Sequence, residues 1–312
     1  MKGTKVVLYT MNDIIQKKST PFSYTQSDTY FQGSFNPIEK RVVTRGVCID
    51  TLFRPNYQGT SSTDFIYEFP EHQKNIVSMK VSAIEIPIVW YAFSNARKNN
   101  IFYVNGKEVI IPEGNYTSED MVSTLITLFT ALGISIIPSI SSITTKLQFT
   151  STSPFTLSFE VENGNCGGGL ALWQLCGWNL GFRKKFYQFD PTFNGPYVIT
   201  SESSYGSSFD NYFFIEIDDY QRNFVTDSIV SVVKTTNVGY LGKNIIARIP
   251  INTSFNFITL NNSSDGLFKT RDYFGPVRLE KLHIRLLDRF GQVISLNQND
   301  FSIMIELKEL FS

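Results

Sequence analysis

Few residues in this 312-residue chain could do chemistry, and they are scattered. There are 2 histidines: His72 in the polar turn Pro70-Glu71-His72-Gln73, and His283 inside an alternating apolar-polar run. Neither has a cysteine or a second histidine at the spacing of a zinc site, so both read as surface or sheet histidines. The best carboxylate group is Glu216, Asp218 and Asp219 in FIEIDDYQR. In a strand Glu216 and Asp218 share a face, as paired acids or calcium ligands do. A strand running into a turn produces the same pattern without a site, and that reading is preferred. Gly167-Gly168-Gly169 lacks the Lys-Ser/Thr of a phosphate loop and reads as a hinge. Arg183-Lys184-Lys185, beside Phe182, Phe186 and Tyr187, could meet phosphates or acidic partners, but a solvated turn is the preferred account. No Gly-x-Ser-x-Gly nucleophile elbow occurs. Trp90, Tyr91 or Trp173 could stack on a sugar face, although Trp90 follows Ile88 and Val89 in an apolar run that suits a core. The sequence therefore supplies no catalytic set, no cofactor motif and no metal-ligand set.

Composition agrees. Lys+Arg and Asp+Glu both number 28, so the formal net charge is zero and bulk charge does not point to nucleic acid. Charged residues are only 18% of the chain, against about 25% in ordinary globular proteins. The 27 Phe and 15 Tyr, with so little charge, suit a protein whose outer faces are covered by partners. Strand-rich proteins also favour these residues, which accounts for part of the excess. The 3 Cys (Cys48, Cys166 and Cys176) are too few and too irregular for a disulfide framework, and buried thiols in a reducing compartment are expected. No apolar run reaches the roughly 20 residues that span a bilayer, and no signal-peptide pattern opens the chain.

These residues need elements to position them. Leu282, Ile284 and Leu286 alternate with His283 and Arg285, and Phe301, Ile303, Ile305 and Leu307 alternate with Ser302, Glu306 and Lys308. Period-two patterns of this quality predict strands with one face in a core. VCIDTLFR, DFIYEFP and NIVSMKVSAIEIPIVW read as earlier strands. The last changes its in-out phase near Ala83, which predicts a bulge or bend, and Pro87 predicts an edge or end. Asn105-Gly106 predicts a tight hairpin. A helix is predicted next, with Thr117 as cap, Asp120 in the capping-box position, and Met121, Val122, Leu125, Leu128, Phe129 and Leu132 on its stripe. Gly133 stops it. A short helical turn should end at Gly177. After Asp190, YVITSE, YFFIEID, SIVSVV, NIIARIPI and FNFITL read as further strands of the body.

Residues 1–44 differ from the rest. They hold aromatics (Phe22, Tyr24, Tyr30, Phe31 and Phe35) among Ser, Thr and Gln, without helical or strand periodicity. Such a stretch cannot bury enough surface alone to offset its ordering entropy. It reads either as a loose tail or as an arm that orders on a neighbour, with those aromatics as interaction anchors. The body is 45–312, interrupted at 100–183 by a small α+β insert.

Three stretches, by their order and spacing, resemble minor capsid and vertex (penton) proteins of large icosahedral nucleocytoplasmic DNA viruses. They are TRGVCIDTLFRPNY at 44–57, IPEGNYTSEDM at 111–121, and the C-terminal strands, with Phe274-Gly275-Pro276-Val277, the Leu286-Leu287-Asp288…Gly291 turn and Asn299-Asp300-Phe301. The resemblance implies a single jelly-roll sandwich carrying the insert and an extended arm, mainly β. It also implies a non-catalytic structural protein of the virion, made in the host cytoplasm. Its partners would be copies of itself (a pentamer at a vertex) and the major or minor capsid proteins, with no specific nucleic acid. Roughly 190 residues remain outside arm and insert, about one elaborated sandwich. A receptor- or glycan-binding jelly roll on the virion surface is the alternative.

Overall fold

A computed structural model describes residues 42–160, 170–206, 210–223, 244–251, 258–261 (by backbone) and 270–310. The protein is mainly β, with antiparallel sheets. The strands are β1 (Val42–Asp50), β2 (Asp64–Pro87), β3 (Ile101–Val104), β4 (Lys107–Ile110), β5 (Ile137–Ile140), β6 (Leu147–Ser151), β7 (Leu157–Ser158), β8 (Phe186–Tyr187), β9 (Tyr197–Thr200), β10 (Tyr212–Asp218), β11 (Ile245–Pro250), β12 (Ile258–Asn261), β13 (Thr270–Leu287) and β14 (Ser302–Leu310). The helices are α1 (Ser118–Ala131) and α2 (Cys176–Leu180). β1 begins three residues inside the stretch read as an arm.

The main sheet has 7 strands in the order β1-β14-β2-β13-β10-β11, with β12 also on β2. β2 and β13, 24 and 18 residues long, are each used twice. The late part of β2 pairs with β14 on one side, and with β12 and the start of β13 on the other. Its early part, Asp64–Glu68, pairs with Lys281–Arg285, and that end of β13 continues onto β10 and then β11. Two four-membered runs result. One is β1, β14, late β2, and β12 with early β13. The other is early β2, late β13, β10 and β11. The C-terminal strands are thus not hairpin partners, because β2 lies between them.

Both long strands change run at the same level. Asn75 carries a left-handed backbone (φ 57) in β2. Opposite it, the β13 register shifts between Asp272 and Val277, across Phe274-Gly275-Pro276. Pro276 has no N–H for a ladder, so it belongs at such an irregularity. His72, expected in a turn between two strands, lies instead within continuous β2, where pairing with β13 keeps the backbone extended. The predicted phase change is a second bulge: Met304 pairs with Ala83 and Ile305 with Val81, leaving Ser82 over. β2 ends at Pro87 as expected.

One core takes side chains from both runs. Ile49, Met79, Ile84, Ile303 and Leu307 come from the first, and Phe65, Leu282, Ile284, Phe213, Ile215 and Ile249 from the second. Within it sits an ionic clamp. Arg271 at the start of β13 is 3% exposed and lies 2.9 Å from Asp219, which is 2% exposed. Its guanidinium also donates to the Ile217 and Asn244 carbonyls, and the Tyr273 hydroxyl donates to Asp219. The clamp ties β13 to the end of β10 and the approach to β11.

A second core lies between β2 and β10 in the chain. The Asn105-Gly106 turn joins β3 to β4, with positive φ at both residues as the tight hairpin requires. α1 is capped by the Thr117 side chain, which accepts from the Asp120 N–H; Met121, Leu125 and Phe129 are buried, and Gly133 follows at φ 62. Phe129 of the α1 stripe meets Phe149 in the sheet β5-β6-β9 and Phe102 in the other sheet, β4-β3-β7-β8. Phe102, Phe129, Phe149, Phe159 and Phe182 interlock here, with neighbouring rings 5.1 to 6.4 Å apart. Much of the aromatic excess is therefore core packing rather than partner-covered surface. β9, expected among the body strands, pairs with β6 in this unit. α2 runs through Gly177 and ends at Gly181, because Gly177 leaves room for the Phe159 ring while Gly181 supplies the left-handed backbone at φ 97. Cys176 is buried, which pushes its thiol pKa up, but Cys48 on edge strand β1 is exposed, against expectation. Cys166 and SIVSVV lie outside the described residues. Arg97 holds the unit to the body, bridging Asp210 (3.5 Å) before β10 and buried Asp288 (3.1 Å) after β13.

The buried clamp yields a stability prediction. Asp219→Ala strands the Arg271 charge in the core, a loss of about 3–5 kcal/mol. Urea unfolding should show a lower midpoint of that size; a loss under about 1 kcal/mol contradicts the clamp's role.

Candidate interaction site

The loop from Asp50 to Asp64 is built around one arginine. Asp50 caps a short 3-10 turn, Thr51–Phe53, by accepting from the Leu52 N–H at 2.9 Å. Thr51 is fully buried, and its N–H donates to the Phe301 carbonyl. The Thr51 hydroxyl donates to Asp300 at 3.0 Å and accepts from the Phe301 N–H at 2.9 Å. Arg54 Nη1 reaches Asp300 at 2.5 Å and the Thr51 carbonyl at 2.7 Å. Its other nitrogens donate to the Tyr57 and Thr60 carbonyls. The guanidinium lies 4.1 Å from the Tyr57 ring, and the Tyr57 hydroxyl donates to the second Asp300 oxygen at 2.7 Å. Ser62 and Thr63 complete the seam by donating to the Asn299 and Ile294 carbonyls.

This clasp joins two stretches that the sequence had marked separately, Arg54-Pro55-Asn56-Tyr57 and Asn299-Asp300-Phe301. It holds out two apolar side chains: Leu52 is 52% exposed and Phe53 81%. A rigidly held, exposed aromatic is the form an interface anchor takes, since its ordering cost is met before binding. Beside the loop runs β1, an edge of the main sheet, with Val42 and Val43 about half exposed. Sequence reasoning missed the clasp because its members lie some 250 residues apart.

Burial alone would raise the Asp300 carboxyl, but hydrogen bonds from Tyr57, Thr51 and Arg54 outweigh it and hold its pKa below the ordinary value. A carboxylate lowered in this way stabilises the fold above its unfolded pKa and loses that contribution as pH falls through the folded value.

The candidates for chemistry are occupied otherwise. Glu216 is 3% exposed and takes the Arg285 guanidinium at 2.7 Å. Asp218 shares its face but accepts from the Tyr220 N–H, forming the turn that ends β10; Asp219 belongs to the clamp. His283 meets Asp64 at 2.6 Å, and His72 is near Glu280 at 3.9 Å with both exposed. Arg183 stacks on Trp178 at 3.9 Å and donates to the Trp178 and Phe182 carbonyls, so the first residue of the basic run is tied into the fold, while Lys184 stays exposed. Trp90 is 4% exposed and packs edge-on against Phe213, which removes it as a sugar platform; Trp173 is partly buried and Tyr91 partly exposed. Gly167-Gly168-Gly169 and the arm anchors Phe22, Tyr24, Tyr30, Phe31 and Phe35 lie outside the described residues.

No protein-family model matches the chain, and no curated protein matches it. Among solved structures the chain is similar to the crystal structure of the mavirus penton protein, with TM-score 0.46 and 12% identity over 87% of this chain and 100% of that one. A likeness at that level sets no strand-by-strand correspondence.

The clasp makes a pH prediction. Hydrogen exchange of the Thr51–Thr63 amides, corrected for intrinsic rates, should quicken in acid as Asp300 protonates. Asp300→Asn should give roughly tenfold faster exchange already at pH 7, one partly exposed charge-assisted network being lost. Equal protection in the wild type and the variant at pH 7 contradicts the clasp.

Proposed function

We propose that the chain is a structural, non-catalytic component of an icosahedral virus shell, assembling with copies of itself as a vertex subunit or minor capsid protein. In this reading it is made in the host cytoplasm and carried in the virion. The body is a single jelly roll, with the second core as its insert and residues 1–41 as its arm. The strand pairing supports the jelly roll. The run β1, β14, late β2, early β13 and the run early β2, late β13, β10, β11 are two four-membered layers sharing one core, joined by strands that pass from one to the other.

The observation that carries the function is the clasp. Arg54, Asp300, Tyr57 and Thr51 make a network with no reacting group, and its product is a fixed, exposed Leu52-Phe53 pair. Fixing an exposed aromatic serves recognition, and the sequence stretches that build the clasp are those that resemble shell proteins.

Phe53→Asp should leave stability within about 0.5 kcal/mol, as surface changes do, while weakening assembly at least tenfold. Deleting residues 1–41 should leave the body folded and also impair assembly. Light scattering with unfolding curves measures both; normal assembly of both variants overturns the proposal.

A further inference from the structure

The second core carries an open apolar groove of about 840 Å³ that the described residues leave unfilled. α1 forms one wall with Ile126, Phe129 and Thr130; Ile136, Ile137 and Thr150 form the other. None of its lining side chains is charged. Ile126 and Ile137 at its rim are 47% and 68% exposed, an apolar border facing water. An apolar cavity of about 150 Å³ takes one benzene ring, so several aromatic side chains fit. β5, beside the groove, is an edge strand of its sheet among the described residues, the kind of element to which an extended chain adds.

We propose that this groove receives the aromatic segment 19–36 of a neighbouring copy. The inference rests on the assembly reading above and names the surface that takes the arm. Three points select this occupant. The segment, STPFSYTQSDTYFQGSFN, carries one charge in its length, Asp28, and so matches a groove without charges. Its Phe22, Tyr24, Tyr30, Phe31 and Phe35 supply rings, and its Ser, Thr and Gln suit the hydroxyls that Thr130, Ser135 and Thr150 add to the lining. It joins the body at Val42, on edge strand β1, and the 11 residues from Phe31 span about 36 Å when extended, a tether that gives the rings reach beyond their attachment point. The exposed Leu52-Phe53 pair suits the groove less well, because a tied 3-10 turn cannot lie along it.

The test places a benzophenone amino acid at Ile137 in the full chain. Isotope-labelled and unlabelled copies are mixed before assembly and irradiated, and the captured peptide is identified by mass spectrometry. Capture of residues 19–36 in mixed-label pairs is expected, falling at least tenfold with Ile126→Glu. Capture of the same copy's arm, of Leu52-Phe53, of another segment or of nothing overturns the inference. Oligomer mass is read on the same sample. An assembled oligomer whose groove does not capture the arm overturns the groove assignment alone, whereas a chain that stays monomeric overturns the assembly reading with it.

Discussion

Everything in the body depends on the pairing of β2 with β13. Each strand is long enough to serve two runs, and each is kinked at the same level, by Asn75 in one and Phe274-Gly275-Pro276 in the other. Antiparallel ladders fix register, and a one-residue slip would turn every buried Ile and Leu outward. The paired kinks let both strands turn together while their apolar faces stay on one core. The Arg271-Asp219-Tyr273 clamp sits on β13 beside that kink, where a charged network would be costly unless every member were satisfied.

Around that frame, polar networks act as fasteners. Arg97 bridges Asp210 and Asp288, so the second core is held where the chain returns to β10 and where β13 ends. Arg54 gathers Thr51, Tyr57 and Asp300, so the loop after β1 is held to the start of β14. In each case an arginine spends its planar set of donors on several partners at once, which a lysine could not do. One fastener joins two units; the other fixes a loop that presents Leu52 and Phe53, its most exposed apolar side chains.

Much of this was legible in the sequence. Alternation marked late β13 and β14, the phase change at Ala83 marked the bulge at Ser82, Asn105-Gly106 marked a hairpin, and Thr117 with Asp120 marked the start of α1. These are local signals, with cause and effect within a few residues. What the sequence hid was non-local. Pro70 to Gln73 looks like a turn and becomes strand only because β13 pairs across it. YVITSE alternates like any body strand, yet β6 claims it. Cys48 looks like a core thiol but faces out, since it alternates with buried Ile49 along β1. The candidate site was half visible: the residues of the clasp stood in recognisable stretches, while their meeting across some 250 positions is a property of the fold. The aromatic count pointed outward, whereas the Phe102–Phe182 cluster shows a large share of it facing in.

The central claim is that this chain works by assembling rather than by reacting. The mass of the purified full chain in solution, by native mass spectrometry across a concentration series, tests it most directly. A discrete closed oligomer is predicted. A single monomeric mass at every concentration would contradict the account.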